Sequence, residues 1–144
     1  MKNIIKNLTR QHRELTRVTM EIVPRLEDLR ALAADATPVR RGLQALTGIL
    51  KVHISMEDQS FYPFLRSHRD DALRRLAEAF LTERDEIQVR YFAYVERWLE
   101  PGHIERAVGK FVAETRAILL ALGTRMLQED HEFHPQILER AEQE

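Results

Sequence analysis

His53 and Glu57 stand four residues apart, so on a helix they share one face, one turn from each other. That face also carries Leu46, Leu50 and either Phe61 or Phe64, an apolar setting in which an imidazole and a carboxylate need a reason to be present. Inward-pointing carboxylates and imidazoles on facing helices are how bundles build non-haem metal sites. Carboxylates can bridge two ions, and neutral imidazoles supply nitrogen donors. His12 and Glu129 extend the pair to four candidate ligands. Taken alone, a His-x-x-x-Glu pair is a weak signal, because long charged helices produce it often and a solvated face accounts for either residue.

The surroundings of Glu57 recur later in the chain. His53 to Pro63 and Arg125 to Pro135 both read x-x-x-x-Glu-Asp-x-x-Phe-x-Pro, at an offset of 72 residues measured from Glu57 to Glu129. The same offset sends Leu8, His12, Leu15, Val23 and Leu26 onto Phe80, Arg84, Ile87, Val95 and Trp98, so apolar positions fall on apolar positions. Each half therefore reads as a helical hairpin, and the whole is expected to carry an approximate two-fold axis.

The elements that must position these residues are helical. The chain has five Gly and five Pro, no Asn-Gly or Asp-Gly hairpin turn and no sustained period-2 alternation. Segment one, about residues 4–33, repeats apolar residues near 3.6 through Ile4, Leu8, Leu15, Val18, Ile22, Leu26 and Leu29, with Pro24 expected to interrupt it. Asp35 to Pro38 is a helix-start signal for segment two, which runs to about Arg66 with Pro63 bending its end. Segment three follows a capping Asp through Leu76, Phe80, Ile87, Tyr91, Val95 and Trp98 to Glu100, where Pro101-Gly102 breaks the chain. Segment four runs from about His103 to Arg140. Short connections between such segments predict an all-α fold, an antiparallel up-down-up-down four-helix bundle forming a single domain over residues 1–144.

Composition narrows the function classes. Lys plus Arg (22) and Asp plus Glu (23) nearly cancel, so no global field would draw in nucleic acid or an anionic membrane surface. With no Cys, thiolate zinc sites, iron–sulfur clusters and a Cys nucleophile are excluded, leaving His and carboxylates as the strong metal ligands. The N-terminal residues lack an apolar signal core and no run of 18 apolar residues occurs, which predicts a cytoplasmic protein with no membrane partner.

The pattern resembles the hemerythrin family, in its bacterial HHE cation-binding branch, over nearly the whole chain. The residues that carry the resemblance are His12 within Arg10 to Leu15, His53-x-x-x-Glu57-x-x-x-Phe61-Tyr62-Pro63, Glu83-Arg84, and Glu129 with Phe133 and Pro135. What it implies is a four-helix bundle around a di-iron centre, each iron held by histidines of one hairpin and both bridged by carboxylates. On that resemblance His12 and His53 match first-hairpin ligands, and Glu57 and Glu129 match the bridging carboxylates. Arg84 and Arg125 stand where the histidines of helices three and four are expected. Guanidinium stays protonated and has no lone pair, so neither Arg can ligate iron.

Two Arg beside two Glu could instead form a buried network that occupies the space and supplies the charge of a second ion. Alternatively both could lie outward along their aliphatic stems. Three readings stay open: one ion on His12, His53 and one or both Glu; no metal; or two ions completed by a ligand such as Glu83. The family resemblance implies a metal-binding or sensing protein using non-haem iron and a small diatomic ligand, O2 or NO. The competing classes are a metal-free structural or regulatory interaction module and an enzyme using one iron. His131 and His134, three apart beyond Glu129, could help bind metal, but a charged, frayed final helix explains them better, and solvated helix ends explain His68 and His103. Tyr91, Phe92, Tyr94 and Trp98 cover more than one face, as core packing or a homodimer contact would require. Arg40-Arg41 and Arg74-Arg75 read as solvated faces.

Overall fold

The computed structural model of the chain describes residues 1–142; Gln143 and Glu144, included in the single domain expected over 1–144, lie outside the described residues. Every regular element among the described residues is helical, and together they form a helical bundle. Helix α1 (Lys2–Ile22) runs into a 3-10 turn (Val23–Glu27) at Pro24, and α2 (Leu29–Ala34) restarts with the Asp28 side chain accepting from the Ala31 N–H. Leu29, expected in the core, is half exposed because that restart rotates it off the buried stripe of α1.

The Asp35 to Pro38 signal opens α3 (Thr37–Met56), with Asp35 accepting from the Thr37 N–H at 3.0 Å. Segment two is not a continuous helix. A π-helical turn (Glu57–Phe61) separates α3 from α4 (Tyr62–Arg66), and Tyr62 N–H reaches back five residues to the Glu57 carbonyl. The same happens in segment four, where α7 (Val108–Gln128) passes through a π turn (Glu129–Phe133) into α8 (His134–Glu142), with His134 N–H on the Glu129 carbonyl. Pro63 and Pro135 each follow the residue that closes the turn, Tyr62 or His134, and fall in the first turn of the next helix, where the register is already interrupted and the N–H they lack is least missed.

Between them, α5 (Asp71–Trp98) is capped by Asp70, which accepts from the Ala72 and Leu73 N–H groups. Segment four also starts in two pieces. The short α6 (His103–Arg106) stops at Ala107, whose backbone leaves the helical region (φ -145°, ψ 52°), and Glu105 of α6 ties it to α3 through Arg40 at 2.7 Å. Gly102 has φ 82°, a left-handed conformation that costs a side-chain-bearing residue about 1–2 kcal/mol. Gly102→Ala is expected to lower the urea-unfolding free energy by that amount, since the three atoms nearest its Cβ all belong to the flexible Arg106 side chain.

Helix α1 packs on α3 and α5 on α7, with α4 against α5 and α2 against α6 and α7. The apolar interior is in two parts. One gathers Leu15, Val18, Ile22, Leu43, Leu46, Tyr91, Trp98 and Phe111, and the other Leu8, Phe61, Tyr62, Leu73, Phe133 and Ile137. On α1 the two parts are separated by Gln11 and His12, on α3 by His53 and on α7 by Arg125, so a polar layer lies between two dry blocks. Tyr91, Tyr94 and Trp98 are spent on the first block, with Phe92 partly buried against it.

Candidate metal centre

The polar layer is built from four stretches of chain. His12 comes from α1, His53 and Glu57 from the end of α3 and its π turn, Arg84 from the middle of α5, and Arg125 and Glu129 from the end of α7 and its π turn. His12, His53, Glu57, Arg125 and Glu129 are all at most 5% exposed, and the Arg84 side chain is 11% exposed. Neither Arg turns outward.

His12 Nε2 lies 3.3 Å from His53 Nε2 and 3.2 Å from a Glu129 oxygen. One ligand atom each from His12, His53 and Glu129 falls within 4.8 Å of the other two. Two donors about 2.1 Å from a common ion stand about 3.0–3.4 Å apart, so these separations match a shared first-row transition metal. The outward nitrogens are fixed as well. His53 Nδ1 donates to Gln11 Oε1 at 2.7 Å and His12 Nδ1 donates to Asp130 Oδ1 at 2.8 Å, which turns both Nε2 atoms inward. Glu57 reaches His53 Nε2 at 3.7 Å with one oxygen, while its other oxygen is buried without a hydrogen-bond partner.

The opposite side of the layer holds cations. Arg84 Nη1 lies 3.4 Å from Glu57 and 2.8 Å from Asp58, and Arg84 Nη2 is 3.0 Å from Asp85. Arg125 Nε sits 3.3 Å from Glu129, an ion-pair distance but too oblique for a hydrogen bond, and Arg125 Nη2 donates to Tyr62 Oη at 3.3 Å. Its remaining end reaches Glu83 at 3.4 Å and its plane covers the Phe80 ring at 4.7 Å. These contacts follow the offset of 72 residues. Asp58 on Arg84 corresponds to Asp130 on His12, Glu83 on Arg125 to Gln11 on His53, and the Glu57–Arg84 contact to Glu129–His12.

Charge in the layer is distributed accordingly. Burial pushes the His12 imidazole down, but its bonds to Asp130 and Glu129 outweigh this and hold it at about 9. Burial and the neighbouring His12 charge push His53 down to about 4, so it is neutral, with Nδ1 carrying the proton given to Gln11. Burial and the charge of Glu129 raise Glu57, whereas Glu129 is lowered because His12 and Arg125 overcome its burial.

Two histidines lie elsewhere than the sequence suggested. His134 is not on a solvated final turn but 3% exposed, its ring stacked on His12 at 5.9 Å, because the π turn rotates it inward beside Glu129. His68 is buried too, its Nδ1 accepting from the Asp70 N–H and its carbonyl bonded to Arg74. His131 and His103 are exposed. Gln11, Asp130 and Tyr62 are layer residues that the sequence reading does not assign, and His134 is read there as part of the charged final helix; the 72-residue offset pairs Gln11 with Glu83 and Asp58 with Asp130 next to the site residues, and Tyr62 with His134 five residues after Glu57 and Glu129.

Fold and layer together define a helical bundle with a buried histidine–carboxylate cluster of cation-binding type. The hemerythrin HHE cation binding domain matches residues 3–137, and the chain belongs to that family. Searches of curated proteins and of solved structures each returned no match. Among the described residues no helix is long and apolar enough to cross a membrane. The donors fit one cation on the His12, His53 and Glu129 side. They do not fit a second ion on the opposite side, where every cation-facing group is a guanidinium or is already paired to one.

Proposed function

We propose that this chain holds a single transition-metal cation, iron by its family resemblance, on His12, His53 and Glu129 with Glu57 beside them, and that Arg84 and Arg125 replace the second ion. The observation that carries the reading is the pair of inward Nε2 atoms 3.3 Å apart, each fixed from behind by Asp130 or Gln11. A ferrous ion on two histidines and a carboxylate keeps open positions and binds O2, NO or peroxide. The chain supplies a place for such a ligand: a cavity of about 40 Å³, walled by Leu15, Leu46, Leu50, Ile54 and Met126, ends on His53, Glu57 and Glu129. One water needs roughly 10–15 Å³, so the cavity, also lined by Arg84, Gln88 and Arg125, has room for a diatomic molecule beside these groups. The role is binding or sensing. The matched contacts and the two π turns support a four-helix, up-down bundle with a two-fold pseudo-repeat, formed by one domain over residues 1–144.

A second reading is favoured by one observation. With His12 protonated between Asp130 and Glu129, and Glu129 against Arg125, the layer is charge-paired before any metal arrives. A metal must displace the His12 proton, so its affinity falls as pH drops. If the layer never takes metal, the chain is a structural or regulatory module.

Metal analysis of protein purified after iron supplementation separates the two. The expected result is one iron per chain, lost in His53→Ala while the helical circular dichroism is kept, with an absorption band altered by azide. Two irons per chain in the wild type would remove the replacement reading, and no metal in any preparation would leave the interaction module.

A further inference from the structure

Proteins rarely bury a histidine with nothing on either ring nitrogen. Among the buried side chains of this layer His134 is such a case, with no hydrogen-bond partner at Nδ1 or Nε2 and Asp130 Oδ1 no nearer than 3.6 Å. Its ring lies parallel to that of His12, at an interplanar angle of 8°. The unmet cost of such a group calls for a ligand or for a partner absent from the protein itself.

The residue at the matched position in the other half shows what this place in the fold does. Tyr62 also follows a π turn, and its backbone N–H closes the same five-residue loop onto Glu57 that His134 closes onto Glu129. Tyr62 faces the two guanidinium groups. Its ring lies 5.3 Å from the Arg84 guanidinium and its hydroxyl takes the Arg125 Nη2 bond. In that half three side chains meet: two guanidinium groups, whose other donors face Asp58, Asp85 and Glu83, and a tyrosine that offers both an acceptor oxygen and a π face. In the other half the three corresponding residues are His12, His53 and His134. These three imidazoles do not close on one another in the same way: His12 and His53 approach through Nε2 and are held from behind by Asp130 and Gln11, and both nitrogens of His134 are left without a partner.

We infer that His134 is a third histidine ligand, completing a His12, His53, His134 and Glu129 site for one transition-metal cation. This rests on the single-ion reading above and goes beyond it by naming a ligand on the turn after Glu129. The π turn sets it there. A continuous α-helix would carry the residue five positions after Glu129 about 500° around the axis, well off its face, whereas the wider turn brings it back beside it. Asp130 Oδ1, already on His12 Nδ1, stands 3.6 Å from His134 Nδ1 and can accept from it, which leaves His134 Nε2 for the metal. Binding would draw the His134 ring toward the His12 and His53 nitrogens, a side-chain rotation at the end of α8.

The test loads one equivalent of Cu(II) and counts coordinated imidazoles by pulsed electron paramagnetic resonance of their remote nitrogens. Three are expected in the wild type, and two in His134→Phe, which keeps a stacked ring, and in His134→Gln, which keeps a polar side chain. Bound copper should disappear in His53→Ala. Two imidazoles in the wild type would overturn the assignment while leaving the single-ion site intact, and the wild-type count decides this whether or not either variant folds. Failure of the wild type to bind stoichiometric copper in a way that depends on His53 would remove the single-ion reading itself, and the third ligand with it.

Discussion

Replacing Arg84 and Arg125 together by histidine is expected to raise bound iron from one to two per chain. The machinery for the second ion is already in place on that side. Asp58 and Glu83 stand behind positions 84 and 125 as Asp130 and Gln11 stand behind 12 and 53, so imidazoles there would be held with their Nδ1 protons facing outward. Glu57 has an unpartnered oxygen for the new ion, and Glu129 loses Arg125 and becomes free to bridge. The single replacements are expected to fail. Each would leave one guanidinium beside the intended metal and remove half the cation charge that balances Glu57 and Glu129. Metal analysis with absorption spectra before and after azide measures the outcome. A folded double variant still holding one iron would mean that positions 84 and 125 do not correspond to 12 and 53.

Arg125→Met is expected to destabilise the protein by about 3–5 kcal/mol, the usual cost of removing one partner from a buried ion pair. The side chain is 6% exposed, and its loss strips a cation from Glu129 and a donor from Tyr62 Oη, although Met preserves most of the packing on Phe80. For a chain of this size that is a fall in Tm of roughly 6–20 °C. Adding Glu129→Gln should recover a large part of the loss, because it removes the stranded charge. Arg84→Met should cost less, since Arg84 also pairs with the half-exposed Asp58 and Asp85, where water can replace it. A change below about 1 kcal/mol for Arg125→Met would mean that Glu129 is held by His12 alone. Urea unfolding in the presence of a chelator reads the values without interference from bound metal.

The two Arg variants also bear on how such a layer persists. A buried layer of carboxylates is stable only with cations facing it, and a metal ion or a guanidinium can each serve. On the single-ion reading proposed above, both solutions would share one layer of this chain, a metal on His12 and His53 on one side and Arg84 and Arg125 on the other. A change at one position alone exposes a charge, which ties the positions of each pair to one another.

Much of this was legible in the sequence. The helical class followed from the 3.6-residue apolar repeat and the scarcity of turn residues, and the family from the spacing of His12, His53, Glu57 and Glu129. The positions that meet in the polar layer were also available, because residues four apart on a helix share a face whatever the rest of the chain does. The breaks at Ala107 and at the two π turns were not. Pro63 and Pro135 mark that an α-helical bond is missing, but a kink, a break and a widened turn all answer that need, and the choice is made by which one keeps Phe61 and Phe133 in the core.

His134 shows the limit most clearly. Counted on an ideal helix it falls away from Glu129, among charged neighbours, and reads as solvated. One extra residue in the turn shifts the register of everything after it and carries the ring into the interior. The direction of Arg84 and Arg125 was likewise open, since a long stem lets the charge reach either water or Glu57 and Glu129. Composition and spacing thus determined the helices, the cluster of positions and the kind of chemistry available. Tertiary packing decided which way each long or displaced side chain points, because that depends on a balance between burying charge and pairing it that no single helix contains.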